Sequence, residues 1–162
     1  MGATKKIYLA LGSNLGDRAA NLAEAVRKLA ECQVRVLRCS RLYETEPMGL
    51  RAQPWFLNQV VEAETDLFPL QLLARTLEIE RELGRRRTLP NAPRTLDIDI
   101  LLFGGFVVDT PRLRIPHPRM NDRRFVLEPL AELAPDLRHP VTRRTIRDHL
   151  AATLSQRVRI LG

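Results

Sequence analysis

The stretch Pro93-Arg94-Thr95-Leu96-Asp97-Ile98-Asp99-Ile100-Leu101-Leu102-Phe103-Gly104 decides how this chain is read. By residue type its centre is a β-strand, rich in Ile, Leu and Phe, yet Asp97 and Asp99 interrupt it. Side chains at i and i+2 of a strand share a face and stand about 6–7 Å apart along the chain. The two carboxylates therefore look out of one side, while Leu96, Ile98 and Ile100 look out of the other. Like charges at this spacing repel, and burial would raise the pKa of at least one. A divalent cation removes the conflict. Hard oxygen ligands suit Mg²⁺, which takes one or two carboxylates plus substrate phosphates. Two such ions about 3.5–4 Å apart can clamp both sides of a phosphoryl displacement. Asp-x-Asp alone is also ordinary solvated sheet surface, so the weight falls on its neighbours. Arg85, Arg86, Arg87 and Arg94 precede it, and His117, Arg119, Arg123 and Arg124 follow. Carboxylates for metal beside guanidiniums for phosphate describe a nucleotide phosphate site.

Working outward, Ile7 to Leu11 reads as a short strand ending at Gly12, followed by a helix capped by Asp17 or Asn21. Val34 to Leu42 and Phe56 to Thr65 read as strands, with Val61, Ala63 and Thr65 on one face. The segment from Thr45 to Pro54, which holds Pro47, Gly49 and Pro54, reads as a loop. Leu67 to Leu83 is the clearest helix, with Pro69 in its first turn, a Leu70, Leu73, Leu77 stripe, and Gly84 placed to end it. After the aspartate strand, Gly104-Gly105 turns the chain toward a partner strand at Phe106 to Val108. A short helix is expected near Val126 to Leu133, and a last one from Thr145, whose spacing to Asp148 is that of a capping box. The core order is β-α-β-β-α-β. That is the split-βαβ arrangement of a ferredoxin-like α+β fold, here with a C-terminal extension. Two helices would cover one face of an antiparallel sheet and leave the other for a site.

At 162 residues the chain suits one domain, 1–162. It has no repeat, no low-complexity tract, no signal peptide and no apolar run that could cross a bilayer, so a cytoplasmic location without a membrane partner is expected. Cys32 and Cys39 have the spacing of neither a zinc site nor a disulfide framework. Net charge is +7, and of the 26 basic residues only Lys5, Lys6 and Lys28 are lysines. Most of these arginines are read as solvated surface. The excess still permits two kinds of partner, nucleic acid or a small polyanion such as a nucleotide. Against nucleic acid, the aromatic strand pattern of RNA-recognition sheets is absent and aromatics make up only 5% of the chain. Gly12 to Asp17, GSNLGD, is no Walker A loop, so phosphates would be held by arginines and metal rather than by a glycine cradle.

The aspartate strand resembles the signature of the 6-hydroxymethyl-7,8-dihydropterin pyrophosphokinases, enzymes of the folate pathway. So, in order, do Ala10-Leu11-Gly12-Ser13-Asn14-Leu15-Gly16, Tyr43-Glu44-Thr45-Glu46-Pro47-Met48-Gly49, Gln53 to Asn58, Ile115 to Met120 and Arg123 to Leu127. The resemblance implies a ferredoxin-like α+β enzyme that moves the terminal pyrophosphate of ATP onto the hydroxymethyl oxygen of the reduced pterin and releases AMP. It implies two Mg²⁺ ions on Asp97 and Asp99, ATP as co-substrate, and catalytic roles for Asp97, Asp99, Arg85 and Arg94. ATP contacts are implied for Glu80, Arg87, Arg94, Ile100, Arg112, His117 and Arg123. The pterin pocket is implied at Thr45, Pro47, Met48, Phe56, Asn58, Asp97 and Phe125, with Phe56 and Phe125 sandwiching the ring. A monomer acting on small molecules is expected.

The residues' own chemistry agrees with those roles. A flat heteroaromatic ring stacks well between two aromatic faces, and an amide such as Asn58 both donates and accepts. Other readings stand beside them. Phe56 and Phe125 could be plain core, Glu80 a solvent-facing helix residue, and His117 a turn residue between two prolines. The chain also departs from some members of the family. Asn91-Ala92 stands where they carry Trp, the loop from Gly84 to Pro93 is a residue shorter, and Leu77 and Pro118 replace polar or aromatic ATP contacts.

Overall fold

The computed structural model describes residues 3–46, 54–84 and 95–161. In chain order the elements are β1 (Lys5–Ser13), α1 (Arg18–Ala30), β2 (Val34–Cys39), β3 (Tyr43–Thr45), β4 (Phe56–Thr65), α2 (Pro69–Glu82), β5 (Asp97–Phe103), β6 (Val108–Asp109), β7 (Arg114–Ile115), a 3-10 turn (Met120–Asp122), α3 (Arg124–Leu133), α4 (Ile146–Ala151) and β8 (Arg159–Ile160). This is an α+β arrangement, an antiparallel sheet with four α-helices among the described residues. The sheet runs β5-β1-β4-β3-β8, and β2 also pairs with β4.

Local chemistry sets the helix ends. Asp17 is the cap of α1, accepting from the Ala20 N–H at 3.1 Å. Asn21, the other candidate, instead donates back to the Leu15 carbonyl at 2.9 Å. Pro69 opens α2, and Gly84, at φ 87°, takes the left-handed conformation that only glycine adopts without strain just past a helix. Thr145 caps α4 by accepting from the Asp148 N–H, as its spacing predicts.

Four expectations are corrected. The strand begun at Val34 stops at Cys39, because Ser40 turns in to bond both backbone groups of Val60, and pairing resumes in β3. The buried stripe of α2 is Leu72, Thr76, Ile79 and Glu80, while Leu70 is 46% exposed. The helix is thus rotated from the leucine stripe, because Leu67 and Leu72 reach the core. Phe106 and Val107 are exposed, and the small strand near them, β6, pairs with β7 in a separate two-stranded sheet. The second sheet face is not left open either. Val126, Leu127, Leu130 and Leu133 of α3 and Ile146 of α4 pack on Tyr8, Val60, Leu101 and Leu102. Apolar residues at i, i+1, i+4 and i+7 make a face that must be covered, and this part of the sheet covers it.

Two cores therefore sandwich the sheet. Ile7, Leu9, Leu11, Leu57, Val61, Ile98 and Ile100 face α1 and α2. The switch between faces occurs inside β5. Leu9 pairs with Ile100 but Tyr8 pairs with Leu102, so Leu101 is one residue extra. A bulge of this kind reverses the inside–outside alternation beyond it. Leu101 and Leu102 both enter the second core, and Phe103 returns to the first.

Under α3 the buried Glu62 accepts from the Tyr8 hydroxyl at 2.6 Å and from Arg38 Nε at 3.0 Å, while Arg38 Nη2 reaches the Leu133 carbonyl at 2.6 Å. Glu62→Ala leaves the Tyr8 hydroxyl buried without its acceptor and is expected to cost about 1–3 kcal/mol in urea unfolding. The Arg38 hydrogen bond holds the Glu62 carboxyl below its ordinary 4.5 against the upward pull of burial. Its contribution is therefore complete above 4.5 and fades as pH falls through the lower folded value. The variant should lose that part of the acid dependence; an unchanged profile would contradict the linkage.

Candidate active site

The strip of second-face sheet left uncovered by α3 lies at the N-terminal end of β5. Gly12 is paired with both Asp97 and Asn58, and Ala10 with Asp99. Cross-strand partners share a face, so Asp97, Gly12 and Asn58 form one row and Asp99 and Ala10 the next. A Cβ on Gly12 would stand 3.2 Å from Asn58 Oδ1 and 3.7 Å from a Phe56 ring carbon. The missing side chain leaves a narrow slot over the Gly12 backbone, bordered by the Asn58 amide and the Phe56 ring, with Asp97 paired to Gly12 from the other neighbouring strand. Asn58 is buried, and its Nδ2 donates to Thr45 Oγ1 at 2.9 Å, which fixes the amide with Oδ1 toward Gly12. Phe56 is half-buried beside the slot rather than sealed in the core.

The positive side comes from the segment after β7. The carbonyl of the bulged Leu101 accepts the His117 N–H at 3.0 Å. This brings His117 Nε2 to 3.9 Å from Asp99 Oδ1. His117 Nδ1 accepts from the Arg119 N–H at 3.2 Å, which leaves Nε2 as the protonated nitrogen of the neutral ring. Burial pushes the His117 pKa down; Asp99 pulls it up, and Arg123 and Arg119 push it down further. The ring is neutral at pH 7 and offers Nε2–H on the side of Asp99.

Arg123 is half-buried, with its guanidinium 5.4 Å from the centre of the Phe125 ring. Burial and Arg119 lower its pKa, while the Asp99 and Asp97 carboxylates raise it, so it lies within the field of both. Phe125 answers to both readings given to it. It is half-buried against the second core, and it also lines a cavity of about 310 Å³ with Thr45, Glu46, Arg123 and Gln156. A larger hollow, about 450 Å³, lies away from these residues, beside Gln33, Arg35, Glu64 and Asp66. None of the residues expected to bind ATP, metal or pterin lines it, so its size is no guide to the chemistry.

The other expected residues fall as follows. Glu80 is not solvent-facing: it is 4% exposed, and its Oε2 accepts the Ile98 N–H at 2.7 Å. It ties α2 to β5 at the residue between the two aspartates. The Ile100 side chain is in the helix-side core, so what it can present to a ligand is backbone. Arg112 is exposed on the β6–β7 turn. Pro47, Met48, Arg85, Arg87 and Arg94 lie outside the described residues, as do Arg86, Asn91 and Ala92. Next to the first of these segments, Asn14 donates to the Pro54 carbonyl at 3.1 Å and Arg18 to the Trp55 carbonyl at 3.0 Å. Gly12 was visible in the sequence as a glycine ending an apolar strand, a usual sign of close backbone approach, but its place between Asp97 and Asn58 depends on strand order.

Among the described residues no group of three or more His, Cys, Asp or Glu side chains is arranged to hold a metal. The donor set fits Mg²⁺ nonetheless, since that ion is commonly held by one or two carboxylates with phosphate and water completing the shell. Two aspartates on neighbouring rows of one face meet that need.

A family model, 7,8-dihydro-6-hydroxymethylpterin-pyrophosphokinase (HPPK), matches residues 8–135. The 2-amino-4-hydroxy-6-hydroxymethyldihydropteridine pyrophosphokinase of Bacillus subtilis is 48% identical over 136 residues, covering 83% of this chain and 81% of that protein. The protein of the same name from Pseudomonas aeruginosa is 47% identical over 137 residues, covering 84% and 85%. The folic acid synthesis protein fol1 of Pneumocystis carinii is 43% identical over 136 residues, and the chain spans 18% of its length. In structure, a Plasmodium falciparum HPPK-DHPS wild type with pteroate gives a TM-score of 0.77 at 19% identity, over 96% of this chain and 43% of that one, which is a likeness of fold. The chain belongs to the 7,8-dihydro-6-hydroxymethylpterin-pyrophosphokinase family.

Gly12→Ala would put a methyl into the slot. The expected outcome is a folded protein in which the Asn58 side-chain amide resonances shift and the amide turns away from Thr45. Unmoved resonances would mean that the slot is not closed by Asn58.

Proposed function

We infer that the chain transfers the terminal pyrophosphate of ATP to the hydroxymethyl group of 6-hydroxymethyl-7,8-dihydropterin, releasing AMP, in folate biosynthesis. The observation that carries this is the placing of Asp97 and Asp99 on one face, between the Gly12–Asn58 slot on one side and His117 and Arg123 on the other. The strand order β5-β1-β4-β2 supports a ferredoxin-like βαββαβ core, to which α3, α4 and β8 are a C-terminal extension. Residues 1–162 are taken as one pyrophosphokinase domain, a cytoplasmic monomer that uses ATP and the reduced pterin.

In this reading the hydroxymethyl oxygen bonds to the β-phosphorus as the link from that phosphorus to the α-phosphate breaks, and the hydroxyl proton is lost. The pterin lies in the slot, its ring between Phe56 and Phe125 and its polar edge on Asn58 and Thr45, and Pro47 and Met48 are assigned to the same pocket. Asp97 borders the slot and so stands where the attacking oxygen meets the phosphates. Arg123 and the neutral Nε2–H of His117 take phosphate oxygens, and Arg85, Arg87, Arg94 and Arg112 supply further guanidiniums. Glu80 holds β5 so that both carboxylates keep their spacing. Asp97 and Asp99 would hold two Mg²⁺ ions, which would supply charge neutralisation for the triphosphate. Positioning and electrostatics carry most of phosphoryl-transfer catalysis, and this site offers both.

Phosphorus NMR of the protein with ATP, Mg²⁺ and the reduced pterin should show AMP and a pterin diphosphate only when all three are present. ADP would mean ordinary kinase chemistry and would overturn the reaction assigned here. Asp97→Ala should lower kcat by about a hundredfold to a thousandfold with an unchanged melting temperature. Wild-type turnover in that variant would remove the metal-binding role.

A further inference from the structure

Gln156 lies beyond the residues matched by the family model, in the segment between α4 and β8. Its side-chain amide spans one residue of a different part of the chain. Oε1 accepts the Arg124 N–H at 2.9 Å, and Nε2 donates to the Asp122 carbonyl at 2.7 Å. These groups belong to the two peptide planes that flank the Cα of Arg123. Peptide units are rigid planes, so holding both fixes φ and ψ of the residue between them. Arg123 sits at φ −124° and ψ 105°, the one extended residue between the 3-10 turn and α3. Arg124 returns the contact, donating from Nη1 to the Gln156 carbonyl at 2.8 Å and the Leu154 carbonyl at 3.3 Å.

The tail that presents Gln156 is anchored on both sides. The Gln156 N–H donates to the Thr153 carbonyl at 3.0 Å, just past α4. Farther on, β8 pairs with β3, Arg159 Nε bonds Glu44 Oε1 at 3.1 Å, and the Arg159 guanidinium stacks 4.2 Å over the Trp55 ring. Burial works against the ionised Glu44, but Arg18 and Arg159 hold its carboxyl below the usual range, so the anchor stays charged at neutral pH. The tail thus bridges the Arg123 turn and β3, and Gln156 and Thr45 line one cavity.

We propose that Gln156 is a positioning residue for Arg123, and that the C-terminal tail is thereby part of the phosphate-binding apparatus. The inference rests on the reading of Arg123 as a phosphate ligand. Its energetic basis is orientation: displacement of a binding group by about 1 Å can cost about a hundredfold, and an amide fastened at both ends prevents it. If the tail were merely fastened down, losing Gln156 would lower stability without regard to Arg123.

The test is calorimetric titration of the full chain with Mg²⁺ and a non-hydrolysable ATP analogue, for the wild type, Gln156→Met, Arg123→Lys and the double variant. Methionine nearly keeps the volume of glutamine and removes both hydrogen bonds. The expected result is about five- to tenfold weaker binding for Gln156→Met in the wild-type background and less than about twofold in the Arg123→Lys background. Gln156→Glu keeps the bond from Arg124 and loses the donor to Asp122, so it should fall between wild type and Gln156→Met. Equal losses in both backgrounds, no loss, or unfolding of both Gln156 variants would overturn the proposal. If the wild type itself failed to bind the nucleotide, the reading of the site would fall; wild-type binding with an unaffected Gln156→Met would remove only the role of Gln156.

Discussion

The register of β5 against β1 is the constraint on which the rest of the site depends. Asp97 faces Gly12 and Asp99 faces Ala10, the two small residues of that part of β1, so space opens above both carboxylates. A slip of one residue would turn both aspartates into the core shared with α1 and α2, where two unpaired charges could not stay. Glu80 reinforces the register from below through the Ile98 N–H. The bulge at Leu101 then lets the same strand serve two cores, and its carbonyl catches the His117 N–H. One irregularity in one strand pair therefore sets which way the carboxylates point, where the second core begins and where the histidine stands.

Charge is distributed by the same logic. Many arginines are spent in exposed ion pairs, such as Arg27 with Glu31, Arg35 with Glu64 and Arg147 with Asp136. Such pairs are screened by solvent, contribute little to stability and explain nothing about function. Arg123 differs: it is half-buried beside His117 and Arg119 and feels both aspartates. A cation pushed toward lower pKa by burial and a like charge, and restored only by carboxylates, gains from any added anion. A triphosphate with its cations satisfies both halves of the cluster at once. The buried Glu62 and the more exposed Glu132 do another job, fastening α3 through Tyr8, Tyr43, Arg38 and Arg41. Burial and Glu132 push the Tyr43 hydroxyl up to about 12, so it stays a donor at any physiological pH.

The aspartate strand, its facing rule and the α+β character were legible because period-2 alternation and turn residues act locally. The Asp17 cap, the Gly84 terminus and the Thr145 cap were legible for the same reason. The bulge was not: Leu101-Leu102-Phe103 is uniformly apolar, and alternation carries no signal when both faces are buried. The covering of the second face by α3 was missed because it depends on where a Pro-rich segment returns. For Glu80 the surface reading stood beside the other because a carboxylate buried to hold a strand's backbone N–H leaves no pattern in sequence. Arg123 and His117 were singled out by residue type, but their convergence on Asp99 depends on the Leu101 carbonyl, and Gln156 had no motif at all.

The central claim is the proposal that the divalent cations of the nucleotide sit on the face of β5 and β1 that carries Asp97 and Asp99, with His117 beside it. The most direct measurement replaces Mg²⁺ by Mn²⁺ in the presence of a non-hydrolysable ATP analogue and maps the paramagnetic broadening of backbone amides. The predicted result is broadening centred on Gly12, Asp97, Asp99 and His117, fading toward α1. Broadening centred instead on the hollow beside Gln33, Arg35, Glu64 and Asp66, with the β5 amides sharp, would contradict it.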